Sequence, residues 1–91
     1  MASAVKAVAA ALQTNPALLR SADRSWMVSK QRTRLAYILV RRKGCRVRDV
    51  ATQLWRDVTT MSVLVSRFAD RLRQEPAARE TLEQVVRTVQ I

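Results

Sequence analysis

The chain has 91 residues, 17 Lys and Arg against seven Asp and Glu, no His, and a formal charge of +10. Its length suits one small domain, and 48% hydrophobic residues exclude a disordered basic tail. One Gly and two Pro supply too few turn-formers for a β-rich domain, so the composition specifies an all-α fold.

Apolar spacing divides the chain into five to six helices. A first helix from about Ala4 to Gln13 sets Val5, Val8 and Leu12 on one face, and Thr14-Asn15-Pro16 closes it. The stretch Met1–Leu19 is acid-free and Ala-rich, as targeting peptides are, but this spacing fits a packed helix. Pro16 opens a short second helix through Leu18 and Leu19, with Asn15 as its N-cap. A basic connection from Arg20 to Val28 follows, anchored by Trp26 and Met27. The third helix begins near Ser29 and carries Leu35, Ile38 and Leu39 inward. It ends at Arg41-Arg42-Lys43-Gly44, where cations suit a helix C-terminus and Gly suits the position after it.

Val47, Val50, Ala51 and Leu54, spaced i, i+3, i+4, i+7, predict a helix from about Arg46 to Trp55. Asp57 or Thr59 caps the next, roughly Thr59–Arg73, whose core face is Met61, Leu64, Val65, Phe68 and Leu72. Glu75-Pro76 ends it, and a last helix carries Leu82, Val85, Val86 and Val89. Trp26 and Trp55 are expected as core or lid. The whole reads as one domain: 1–28 the N-terminal helices and basic connection, 29–73 a helix and a helix pair, 74–91 the C-terminal helix. No dimer seam is visible, which points to a monomer. No apolar run approaches the roughly 20 residues of a membrane span.

Absent His, the chain has no imidazole base and no His metal ligand, and the single Cys45 can make neither an internal disulfide nor a thiolate zinc site. Tyr37 and Cys45 stand without a base, a metal or a nucleotide loop, so neither enzyme activity nor a cofactor is expected. Cys45 reads as an unpaired thiol of a reducing cytoplasm.

The charge points to a polyanion. Residues 29–73 carry +9 of the net charge, residues 1–28 only +2 and residues 74–91 −1. Fourteen of the 17 cations are Arg, whose planar fork suits phosphate and guanine edges. A short helix, a tight polar turn and a second helix in this basic segment read as a helix-turn-helix, whose second helix enters the major groove of double-stranded DNA. At about 100° per residue, its outward face holds Thr59, Val63, Ser66 and Asp70, flanked by Thr60 and Arg67. Val63 is an apolar residue pointing outward, suited to a thymine methyl. Arg41, Arg42, Lys43, Arg46 and Arg48 are expected to meet phosphate. With roughly five to eight phosphates engaged, log K against log salt should slope at about −5 to −7. The alternative is a helical protein-interaction domain whose arginines meet an acidic partner.

Val5…Val8-Ala9…Leu12…Leu18-Leu19-Arg20-Ser21, a basic connection, then Arg34-Leu35-Ala36-Tyr37-Ile38-Leu39 resembles the C-terminal DNA-binding domain of the bacterial replication initiator DnaA. So does Val47…Asp49-Val50-Ala51…Leu54…Arg56-Asp57-Val58-Thr59-Thr60-Met61-Ser62, and together the resemblance covers about residues 4–90. It implies a DnaA-like (TrpR-like) helix-turn-helix fold, a place at the nucleoid, and base reading by an Arg-Asp-His-Thr-Thr-Val signature. By position, Arg56, Asp57, Val58, Thr59 and Thr60 would occupy that base-reading end. Arg67 would meet the DNA backbone, Arg48 would make a groove contact, and Arg24 would lie in the connection that enters the minor groove. Val58 stands where the signature has His, and Trp55 where the family has a Gly-Gly pair. Asp-Val-Thr-Thr-Met-Ser is also similar to the DnaA-like domain appended to REP-associated tyrosine transposases. The resemblance thus implies a binding module serving replication initiation or transposition.

Overall fold

In the computed structural model, which describes residues 2–22 and 25–89, every regular element is helical. The Ala-rich α1 spans Ala2–Ala11 and buries Val5 and Val8 completely. It stops two residues before Gln13 because Gln13 enters the left-handed region at φ 61°. There the Gln13 N–H donates to the Ala10 carbonyl at 3.0 Å and the Thr14 N–H to Ala9 at 2.9 Å, closing the free end of the helix. Helix α2, Pro16–Arg20, starts as expected, with the Asn15 side chain accepting from the Leu18 N–H at 2.8 Å.

Helix α3 spans Trp26–Tyr37, three residues earlier than the apolar pattern places its start. The Ser25 hydroxyl accepts from the Val28 N–H at 3.4 Å and so sets the boundary that spacing could not show. The basic connection is correspondingly shorter. Neither Trp26 nor Met27 anchors it, since they are 70% and 56% exposed. Beyond Tyr37 the helix widens into a π turn, Ile38–Arg42, marked by the Lys43 N–H donating to the Ile38 carbonyl at 3.1 Å. Gly44, at φ 74°, then turns the chain so that the Cys45 N–H reaches the Leu39 carbonyl at 2.9 Å. Ile38 and Leu39 are both fully buried across this turn.

Helix α4 spans Val47–Leu54, α5 Val58–Gln74 and α6 Pro76–Thr88. Their inward residues match the periodicity. Val50, Ala51 and Leu54 are buried in α4, and Met61, Val65, Phe68 and Leu72 in α5. Leu64 is only partly covered and packs at the edge of the core. In α6, Leu82 is buried and Val85 and Val86 lie at the core margin, with Val89 buried just past the helix end. Helices α3 and α5 form the central pair; α1 and α2 pack on α3, α4 on both, and α6 on α5. Phe68 meets Tyr37 edge-to-face at 5.2 Å between centroids. The radius of gyration, 11.9 Å, is that of one domain of this length, about 12 Å.

Two arginines hold the N-terminal helices in place. Arg32, only 7% exposed, donates from Nε to the Leu19 carbonyl at 2.9 Å and from Nη2 to Ser21 at 3.4 Å. Arg20 donates from Nε to the Gln53 carbonyl at 2.7 Å and so ties α2 to α4. On the opposite side Arg42 pairs with Glu83 of α6 and holds that carboxyl below its ordinary pKa. This link therefore contributes at neutral pH and is lost as pH falls through the lowered value, and as a surface pair it is worth little.

The turn between α4 and α5 is built around Trp55, which is left-handed at φ 57° and ψ 44°. Its N–H donates to the Thr52 carbonyl at 3.2 Å, and the Arg56 N–H donates to Ala51 at 2.9 Å. A residue at this point of a helix end is usually Gly, because a Cβ costs roughly 1–2 kcal/mol in this region. Trp55 is neither core nor lid; it is 71% exposed, and its ring lies 5.7 Å from the Arg20 guanidinium carbon. Removing it releases backbone strain but costs the ring contact and adds freedom to the unfolded chain, each of these worth about 0.5–1 kcal/mol. Trp55→Gly is therefore expected to leave stability within about 1 kcal/mol of the parent in urea unfolding. A loss of several kcal/mol would mean that the ring is packed after all.

Candidate nucleic-acid interface

Helix α4, a turn of residues 55–57 and helix α5 follow one another in direct contact within the most basic part of the chain. Asp57 caps α5, its Oδ2 accepting from the Thr60 N–H at 3.0 Å and from the Thr60 hydroxyl at 3.3 Å. Both side chains remain exposed, so the cap is also surface. Asp57 has a structural duty in the isolated chain, as the capping reading of the sequence anticipates.

The outward face of α5 emerges as the helical wheel requires. Val58, Thr59, Thr60, Ser62, Val63, Ser66, Arg67 and Asp70 are all exposed. Val58 and Val63 each show 42% of their surface, an unusual fraction for two β-branched apolar residues on one helix. Arg46, the residue before α4, and Arg48 in its first turn are exposed as well. Arg24 lies outside the described residues.

Arg56 behaves differently from its neighbours. Its guanidinium donates from Nη2 to the Ser21 carbonyl at 2.6 Å and from Nη1 to the carbonyls of Leu54 and Trp55 at 3.3 and 3.2 Å. It clamps the α4–α5 turn to the end of α2, and the side chain is half-buried in doing so. Arg56→Ala is expected to cost about 1.5–3 kcal/mol in urea unfolding, the usual worth of hydrogen bonds to a charged group. Unchanged stability would leave Arg56 free to act only at the surface.

The cations of residues 20–73 include three distinct groups. Arg20, Arg32 and Arg56 are held by backbone carbonyls. Arg42, Arg71 and Arg73 pair with Glu83, Glu75 and Asp70. Arg41, Lys43, Arg46, Arg48 and Arg67 have no carboxylate partner among the described residues; the first four lie between the π turn and the first turn of α4, and Arg67 lies on α5. The sequence could count cations but could not see this division. The link from Arg20 to Gln53, 33 residues apart, left no signal in the spacing.

Compared with family models, curated proteins and solved structures, the chain matches none. Among the described residues, no helix is long and apolar enough to cross a membrane, and no group of His, Cys, Asp or Glu is arranged for a metal ion. Cys45 is a free, half-buried thiol.

Proposed function

We propose that the chain is a sequence-preferring double-stranded DNA-binding module whose helix α5 enters the major groove. One observation carries this: α5 exposes a row of small hydroxyl and apolar side chains, Thr59, Thr60, Val63 and Ser66, with Arg67, and the adjoining α4 exposes Arg46 and Arg48, three cations without a carboxylate partner among the described residues. Short side chains allow the helix axis to approach base edges, and the flanking guanidiniums meet phosphates on either side. Val58 and Val63 supply apolar contacts suited to thymine methyls, and Asp57 sits at the same end. The resemblance to the DnaA domain and to its transposase-appended relatives supports a role in replication initiation or transposition, at the nucleoid and in the cytoplasm.

The test is selection from random duplexes followed by sequencing, repeated at two salt concentrations. An enriched motif bound in a salt-dependent way is the expected result. Salt-sensitive binding of an acidic protein, with no preference among DNA sequences, would replace it with the protein-interaction reading. Within the selected motif, Arg67→Ala is expected to weaken all duplexes alike by about three- to tenfold, as loss of a phosphate contact does. Thr60→Ala should instead narrow the gap between motif and non-motif DNA. Equal losses on both DNAs for Thr60→Ala would remove it from base reading.

A further inference from the structure

A second cationic site lies where α3 crosses the C-terminal half of α5. A cleft of about 200 Å³ is lined by Trp26, Ser29, Lys30, Thr33, Phe68 and Arg71. A second cleft of about 490 Å³ shares Lys30 and Arg71 and adds Arg34, Gln74 and Pro76. Three cations therefore face one surface depression. The carboxylate among them is Glu75, which lines the second cleft and pairs with Arg71. Lys30 and Arg34 have no carboxylate partner among the described residues.

Burial and mutual repulsion both act on this cluster. The Lys30 ammonium is pushed below its ordinary pKa by desolvation and then by Arg34 and Arg71, with Glu75 opposing. The Arg34 guanidinium is lowered by desolvation and by Arg71. Crowding cations in this way stabilises no part of the fold, and an anion seated among them would relieve the repulsion. Beside them stands Trp26, 70% exposed, with the Lys30 Nζ 4.6 Å from the ring centroid. So large an exposed indole at a helix start serves neither the core nor the cap, which Ser25 provides.

Trp26, Lys30 and Arg34 follow one another at i, i+4 and i+8 along one face of α3, about 6 Å apart per step. A strand laid along that face meets an aromatic ring and then cations, as a nucleotide's base and phosphate would require. We propose that this cleft binds single-stranded nucleic acid, with an unpaired base stacked on Trp26 and the adjoining phosphate held by Lys30 and Arg34, while Arg71 stays paired with Glu75. A flat indole next to two cations without carboxylate partners among the described residues favours a nucleotide over an acidic peptide, whose carboxylates need no stacking surface. The site is separate from the outward face of α5, and it stands or falls independently of duplex recognition.

The experiment is titration of the Trp55→Phe chain, in which Trp26 is the sole indole, with a short oligo(dT) and with its abasic counterpart. Oligo(dT) should quench the Trp26 emission saturably, and the abasic strand should bind about tenfold more weakly without quenching. In anisotropy, Trp26→Ala is expected to lose about tenfold for oligo(dT) and nothing for the abasic strand. The double variant Lys30→Gln, Arg34→Gln should lose about tenfold or more for both. All these variants should keep duplex affinity within about twofold, whereas Arg67→Ala should affect duplex and spare oligo(dT). Equal, unquenched binding of the two strands would overturn the proposal. So would displacement of oligo(dT) by a glutamate-rich peptide whose own binding ignores Trp26, which would mark an acidic protein's site.

Discussion

Raising monovalent salt from about 50 to about 200 mM is expected to lower the affinity for duplex DNA a few hundredfold. The total charge would suggest a steeper fall, because 17 cations are present and 12 of them lie in residues 29–73. The structure reduces the number available. Arg20, Arg32 and Arg56 already donate to carbonyls, and Arg42, Arg71 and Arg73 already face carboxylates. Arg41, Lys43, Arg46, Arg48 and Arg67 remain near α4 and α5. Each phosphate neutralised contributes about 0.9 to the slope, so these five cap it near −4.5, just shallower than the −5 to −7 range that charge counting suggests. Anisotropy titrations at several salt concentrations read this directly. A slope clearly steeper than about −5 would show that cations outside this group also reach the DNA, and a slope near zero would remove phosphate contact altogether.

Leu54→Ala is expected to destabilise the domain by about 2–5 kcal/mol, enough to populate unfolded chain at moderate temperature. Leu54 is fully buried, and it is the last residue of α4, so its side chain fills the corner from which α5 departs. A chain of this size has only about 5–14 kcal/mol of stability in all, so the cavity would remove a large share. Urea unfolding followed by far-UV circular dichroism measures the loss, with the midpoint falling and the slope unchanged. DNA binding by the folded fraction should persist, because Leu54 touches no exposed surface. The adjacent Trp55→Gly makes the sharpest contrast, with an expected change of about 1 kcal/mol or less. Similar losses at the two positions would contradict the inward and outward assignment of this corner.

Several features of the fold are legible in the sequence. The i, i+3, i+4 spacing of Val47, Val50, Ala51 and Leu54 announced a buried face, and all but Val47 are buried. Asn15-Pro16, Gly44 and Glu75-Pro76 marked helix boundaries, because each has a conformational or capping preference that acts locally. The outward face of α5 was legible for the same reason: helical periodicity places residues around an axis without needing to know the neighbours. Apolar spacing starts α3 at Ser29, three residues late, because the exposed Trp26 and Met27 break the core stripe and the signal of the true start is the capping hydroxyl of Ser25. The expectation of Trp55 as core or lid fails because apolar character predicts burial on average and says nothing of a left-handed turn that leaves the ring exposed.

An all-α chain, the core stripe of each helix, the outward residues of α5 and the concentration of charge in residues 29–73 all follow from the order of the residues. These depend on composition and on short-range periodicity, which act within a few residues. Which of the described arginines lack a partner depends on contacts between distant parts of the chain. Arg56 reaches the Ser21 carbonyl 35 residues away, Arg20 reaches Gln53, and Lys30 and Arg34 meet Arg71 across two helices. A guanidinium that answers a backbone carbonyl and one that waits for a phosphate are identical in sequence. They differ only in what the fold brings within hydrogen-bonding distance.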